Sequence, residues 1–109
     1  MRKTDKKIDN ALREILTEVC DIALEEYDGF KWLTHLVNYN NFPESLAVVC
    51  IFDTNLQLKK ADVGGLGKLI HLKLSSMGIN ITDISRHLTF DTEENCENKN
   101  NGNWNERLG

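Results

Sequence analysis

The segment Leu46-Ala47-Val48-Val49-Cys50-Ile51-Phe52 decides the fold, because it is the longest uninterrupted apolar run in the chain. A strand with one face in water alternates apolar and polar residues, whereas a strand covered on both faces is continuously apolar. A membrane-spanning helix needs about 18 apolar residues or more, which this run does not approach. We therefore predict a central β-strand whose two faces are both covered.

Two elements are expected before this strand. Apolar residues recur at three- and four-residue steps from Ile8 to Leu24, which predicts an amphipathic helix over about residues 5–27. Residues 30–39 are rich in β-branched and aromatic side chains, and a polar segment, 38–45, separates them from the central strand. This arrangement predicts an antiparallel hairpin with a long connection.

A second helix and a third strand are expected after it. Helical spacing of apolar residues predicts a helix over about 61–77, and alternation predicts a strand over 86–91. A strand that follows a helix after the central strand usually returns parallel to it through a right-handed crossover. The predicted fold class is therefore α/β, more closely an α+β two-layer domain: α-β-β-α-β with a small mixed three-stranded sheet and two main helices.

Length and composition fit one globular domain followed by a tail. The chain has 109 residues, 40% of them hydrophobic and 28% charged, which is typical of a single folded core. Six of the eleven residues from Asn95 to Asn105 are asparagine. We therefore assign residues 1–94 to the domain and expect 95–109 to be a mobile tail. The tail, an extra element or a second subunit is expected to close the second face of the sheet.

Charge and cysteine content exclude several classes of partner. A formal charge of −4 gives no overall attraction to nucleic acid or to a membrane surface. The start of the chain is charged and lacks the apolar core of a secretory signal, so we expect a cytoplasmic protein. Cys20, Cys50 and Cys96 lack the spacing of a zinc site, so no metal or cofactor is expected.

The tripeptide Phe-Asp-Thr occurs twice, at residues 52–54 and 90–92, each time at the end of a predicted strand. Open α/β sheets bind ligands at the carboxyl edge of their strands. Four carboxylates near that edge could bind magnesium: Asp53, Asp91, Glu93 and Glu94. Such a site requires the carboxylates of Asp53 and Asp91 to approach within about 5 Å. The alternative interpretation is that Asp53 and Asp91 cap the turn or helix that follows each strand.

The predicted first helix has an unusual distribution of charge. Residues 1–13 carry five basic and two acidic groups, whereas residues 14–28 carry six acidic groups and no basic one. This order opposes the helix dipole, and it places like charges four residues apart. Antiparallel pairing of two copies would set each basic start against the acidic end of the other copy. The predicted interaction residues are Arg2, Lys3, Lys6 and Lys7 with Glu18, Asp21 and Glu25; the alternative is an ordinary solvated helix.

Four stretches together resemble a family of short uncharacterised bacterial proteins, some of which carry the automatic label Fis-type transcriptional regulator. They are Leu16-Thr17-Glu18-Val19-Cys20, Phe30-x-Trp32-Leu33-Thr34-His35, Val48-Val49-Cys50-Ile51-Phe52-Asp53-Thr54 and Phe90-Asp91-Thr92-Glu93-Glu94-Asn95-Cys96. The resemblance implies no established activity and no catalytic residue; only the label on some members would imply a DNA-binding regulator.

Three functions follow from these observations. The first is a non-enzymatic binding or regulatory module that acts through protein–protein contacts as a homodimer. The second is a metal-dependent hydrolase of phosphoesters or nucleic acid that uses Asp53 and Asp91 with magnesium. The third is a DNA-binding transcriptional regulator, the least favoured because its one basic cluster, Arg2 to Arg13, is diluted by Asp5 and Asp9.

Overall fold

The computed structural model describes residues 2–109 and places the apolar segment in the middle of a three-stranded sheet. The strands are β1 (Phe30–Leu36), β2 (Ala47–Phe52) and β3 (Leu88–Thr92), in the spatial order β1-β2-β3. Strand β1 is antiparallel to β2, and β3 is parallel to it. The predicted mixed sheet, its central strand and its parallel crossover are therefore confirmed.

Five α-helices surround the sheet, two of them long. Two short 3-10 turns, Tyr39–Asn41 and Ile84–His87, complete the chain. The helices are α1 (Lys3–Glu26), α2 (Asn55–Lys60), α3 (Val63–Ser76), α4 (Glu93–Asn100) and α5 (Trp104–Leu108). The two predicted helices correspond to α1 and α3, whereas α2, α4 and α5 were not predicted. None of the helices in residues 2–109 is both long enough and apolar enough to cross a membrane.

Helices α1 and α3 cover one face of the sheet and form the main core with it. Every second residue of β2 points to this face, and these residues are fully buried. From α1 the core takes Leu12, Leu16, Val19 and Ala23, which recur at steps of four, three and four residues. Leu24, which we had included in the apolar stripe, is 52% exposed, because it lies about 100° around the helix from Ala23.

A tight turn connects α1 to β1. The Tyr27 backbone N–H donates to the Ala23 carbonyl (2.9 Å), and Gly29 adopts a φ of +82°. Glycine reaches this left-handed region without strain, whereas a Cβ at this position would also collide with the Gln57 side chain. The turn sets β1 antiparallel to α1 and beneath it.

The second face of the sheet is closed by the C-terminal segment. Val49 and Ile51 point to this face and are only 2% and 0% exposed within a single chain. The Trp104 ring of α5 packs edge-on against Trp32 of β1, with 5.0 Å between the ring centroids. The division predicted after residue 94 lies within α4, and the mobility expected of residues 95–109 stays a prediction. The segment expected to be mobile is helical and packs on the sheet, because Trp104 and its neighbours have an apolar face to cover.

Candidate functional site

The two Phe-Asp-Thr tripeptides each end a strand and begin a helix. Thr54 Oγ1 accepts a hydrogen bond from the Gln57 backbone N–H (3.1 Å) at the start of α2. Thr92 Oγ1 accepts one from the Asn95 backbone N–H (3.0 Å) at the start of α4. The motif is thus a capping motif, and the threonine supplies the cap, not the aspartate as our alternative interpretation had it.

The two aspartates of the motif do not lie side by side. Asp91 is opposite Ile51 in the parallel ladder, so Asp53 lies two residues further along its strand. With a rise of about 3.3 Å per residue and about 4.8 Å between strands, their Cα atoms are about 8 Å apart. The two copies of the motif therefore lie at different positions along the strand direction, and their aspartates are not neighbours in the ladder.

Asp91 is occupied by an ion pair with Arg107 of α5. Arg107 Nε donates to Asp91 Oδ2 (2.6 Å) and Arg107 Nη2 to Oδ1 (3.1 Å), and Asn95 Nδ2 adds a third bond (3.1 Å). Burial opposes ionisation of this carboxyl, but the bonds from Arg107 and Asn95 outweigh it and lower its pKa. A bidentate arginine pair of this kind fixes orientation as well as charge, so Asp91 holds α5 on the sheet.

The two glutamates of the predicted metal site also have protein partners. Glu93 accepts hydrogen bonds from Trp32 Nε1 (2.6 Å) and Trp104 Nε1 (3.2 Å), and Glu94 accepts one from the Asn55 backbone N–H (2.9 Å). Within residues 2–109 no three histidine, cysteine or acidic side chains are grouped so that they could hold a metal ion. The magnesium alternative stays a prediction that the geometry does not support.

The starts of α2 and α4 are joined at the carboxyl edge of the sheet. Thr92 Oγ1 donates to Asn55 Oδ1 (2.7 Å), Asn55 Nδ2 donates to Asn95 Oδ1 (2.8 Å), and the Glu94 backbone N–H donates to the Asp53 carbonyl (3.0 Å). These bonds use side-chain groups of Thr92, Asn55 and Asn95 that a ligand at this edge would otherwise contact. The edge is therefore a structural joint between two capped helices.

The predicted interaction residues of α1 are all exposed, but they lie on different sides of the helix. Glu18 faces α3, where its carboxylate is 3.4 Å from Lys73 Nζ. Asp21 lies on the other flank and lines a groove beside β1. Arg2 pairs within the helix with Asp5 (3.2 Å). The acidic half of α1 thus has one flank that contacts α3 and another directed toward the edge of the sheet. The other predicted interaction residues are also exposed; they are Lys3, Lys6, Lys7 and Glu25.

The groove between α1 and β1 contains a polar cluster that the sequence analysis missed. Asp9 accepts hydrogen bonds from Tyr39 Oη (2.6 Å) and Arg13 Nε (2.8 Å), and His35 Nε2 is 3.5 Å from it. The bonds from Tyr39 and Arg13 lower the pKa of Asp9 to about 2, and burial together with Asp9 raises that of Tyr39. The i, i+4 spacing of Asp9 and Arg13 was visible in the sequence, whereas the contacts with His35 and Tyr39 depend on tertiary structure.

Cys20 lies further along the same groove, which has a volume of about 660 Å³. Burial raises the pKa of the Cys20 thiol, which the Leu33 backbone N–H beside the sulfur only partly opposes, so the thiol is neutral at neutral pH. A neutral thiol is a poor nucleophile. The groove therefore presents a charged helix flank and a strand edge, which are features of a binding surface.

Comparison with known proteins adds no relative: a scan against family models, a search of curated proteins and a search of solved structures each found no match to this chain. The family resemblance stays a prediction.

Proposed function

We propose that this protein is a non-enzymatic binding module that acts as a homodimer, with α1 as part of the dimer interface. The observation that carries the proposal is the separation of charge along the exposed side of α1. Lys3, Lys6 and Lys7 are exposed near its start, and Asp21 and Glu25 are exposed near its end. In an antiparallel pair, the basic start of each α1 would lie against the acidic end of the other copy. This attraction would offset the unfavourable interactions with the helix dipole and between like charges within each helix.

The packing of α1 supports this assignment of roles to its two sides. The apolar side chains of α1 pack against the sheet and α3, and the chain's own C-terminal segment covers the opposite face of the sheet. The outer side of α1 is then the part of the helix available to a partner. Because an exposed ion pair contributes about 0.2–1 kcal/mol, charge sets the orientation while apolar contacts such as Leu24 supply affinity.

Sedimentation velocity at tens of micromolar tests the proposal. We expect the natural chain to be a dimer that weakens with salt, and Lys6→Glu with Lys7→Glu to shift it toward monomer. Adding Asp21→Lys and Glu25→Lys should restore the dimer. The matched control reverses two exposed lysines outside α1, Lys68→Glu with Lys99→Glu, which changes the net charge equally and should leave the dimer intact.

A monomer at these concentrations, or a dimer indifferent to both reversals and to salt, contradicts the proposal. The same variants test the DNA-binding hypothesis, because duplex DNA would contact the same basic start of α1. Duplex binding that is lost in the Lys6→Glu, Lys7→Glu variant, by a chain that sediments as a monomer, would favour the regulator over the homodimer.

A further inference from the structure

Strand β1 forms an open edge of the sheet. It pairs with β2 on one side, and within residues 2–109 no strand pairs with its other side. The Asp53 backbone N–H donates to the Gly29 carbonyl, and the Leu33 backbone N–H turns away from β2 to Cys20. In an antiparallel ladder, residues with inward and outward backbone groups alternate. His35 therefore directs its N–H and C=O to the open edge, as Leu33 does.

The two halves of this edge are protected unequally. The first half carries a β-bulge between Phe30 and Trp32 and an exposed Lys31. The Cys20 sulfur lies beside the outward N–H of Leu33. Bulges and lysines are devices that prevent strand edges from pairing. The second half, Thr34 to Val37, has no acidic, lysine, arginine or proline residue, and its Leu36 is 47% exposed. This half is suited to pairing with another strand.

The flank of α1 above this edge is complementary to a copy of itself. Arg13, Thr17 and Asp21 line the groove beside the edge, with Arg13 and Asp21 four residues on either side of Thr17. When two such helices run antiparallel, the basic half of each copy, which ends at Arg13, faces the acidic half of the other, which contains Asp21. Arg13 uses Nε for Asp9, which leaves its terminal nitrogens for the second carboxylate.

We propose that two copies of this chain join through the second halves of their β1 strands, antiparallel and centred on His35, to form one continuous six-stranded sheet. This inference rests on the proposed homodimer and specifies its interface. Strand pairing at about 4.8 Å places the two α1 helices on the same face of the continuous sheet, with their groove-side flanks toward each other. The groove of each copy is then filled by the α1 flank of the other, and a peptide from a different protein is the competing occupant.

A pair of variants at His35 isolates the backbone bond. His35→Pro removes the outward N–H without touching the ladder to β2, and His35→Ala removes the same side-chain contact with Asp9 but keeps the N–H. We expect His35→Ala to dimerise as the natural chain does, and His35→Pro to raise the dissociation constant by about tenfold or more. Equal dissociation constants for the two variants would overturn the inference, while the homodimer of the proposed function would stand.

Two further measurements apply even if His35→Pro does not fold. In a Cys20→Ser background, Thr17→Cys should form a disulfide-linked dimer under air oxidation. Leu72→Cys, at an exposed position on α3, should not. In the natural chain, hydrogen exchange at the His35 amide should slow as protein concentration rises through the dimer transition. A concentration-independent His35 amide in a chain that dimerises, or equal cross-linking at both cysteines, excludes the β1 edge. A monomeric chain contradicts the inference and the proposed function together.

Discussion

Replacing Trp104 with alanine tests whether α5 seals the sheet. A fully buried tryptophan removes about 150–250 Å² from water, which at about 25 cal/mol per Å² corresponds to about 4–6 kcal/mol. Trp104 is half-buried, so its area contributes about 2–3 kcal/mol, and the edge-on contact with Trp32 adds about 0.5–1.5 kcal/mol. We expect Trp104→Ala to lower the free energy of unfolding by about 3 kcal/mol, a large share of the about 5–15 kcal/mol of a typical domain.

Urea unfolding followed by far-ultraviolet circular dichroism measures this loss. The chain has two tryptophans, so the variant also leaves Trp32 as the single tryptophan, and its emission should shift to the red as water reaches it. Trp104→Phe keeps a ring against Trp32 and loses the bond to Glu93, and should cost about 1 kcal/mol. Leu56→Ala, at a side chain that is 60% exposed, is the control and should change stability by less than about 0.5 kcal/mol.

A Trp104→Ala variant within about 0.5 kcal/mol of the natural chain, with unchanged Trp32 emission, would refute this reasoning. It would mean that residues 104–108 do not cover the sheet in solution. The mobility that we predicted from the asparagine-rich composition would then be correct, and another element or a second copy would have to cover Val49 and Ile51.

Three further predictions follow from the capping motif, the polar cluster and the carboxylates. Thr92→Val should cost about 2 kcal/mol in urea unfolding and Thr54→Val about 1 kcal/mol, because buried Thr92 both caps α4 and donates to Asn55; equal costs would contradict the interlocked joint. Tyr39→Phe should destabilise the fold by about 1–2 kcal/mol at neutral pH. The folded-state pKa of Asp9 is about 2 and its ordinary value is 3.8, so this stabilisation is present above about pH 4 and is lost as pH falls toward 2; a destabilisation that persists at pH 2 would assign it to packing. Millimolar magnesium should leave the melting temperature unchanged because Asp91, Glu93 and Glu94 already have protein partners, whereas a rise of several degrees would revive the cation site.

Local pattern in the sequence determined the main elements of the fold. The uninterrupted run from Leu46 to Phe52 identified the central strand, because a strand covered on both faces has no polar side chain to direct into water. Helical spacing identified α1 and α3, and the handedness of crossovers identified the parallel return to β3. These features depend on residues that are close in sequence, or on rules that hold for almost every chain.

Contacts between distant residues decided the rest. The twin Phe-Asp-Thr motifs are identical in sequence, but the strand register sets them two residues apart, so their aspartates lie at different levels of the sheet. The segment after Asn95 has the composition of a mobile tail, but its Trp104 and Arg107 find Trp32 and Asp91 on a sheet face that needs covering. The sequence alone specifies which groups are available for contact. Which of these groups pair is decided by the strand register, the crossover and the two faces of β2, because these features exist only in the folded chain.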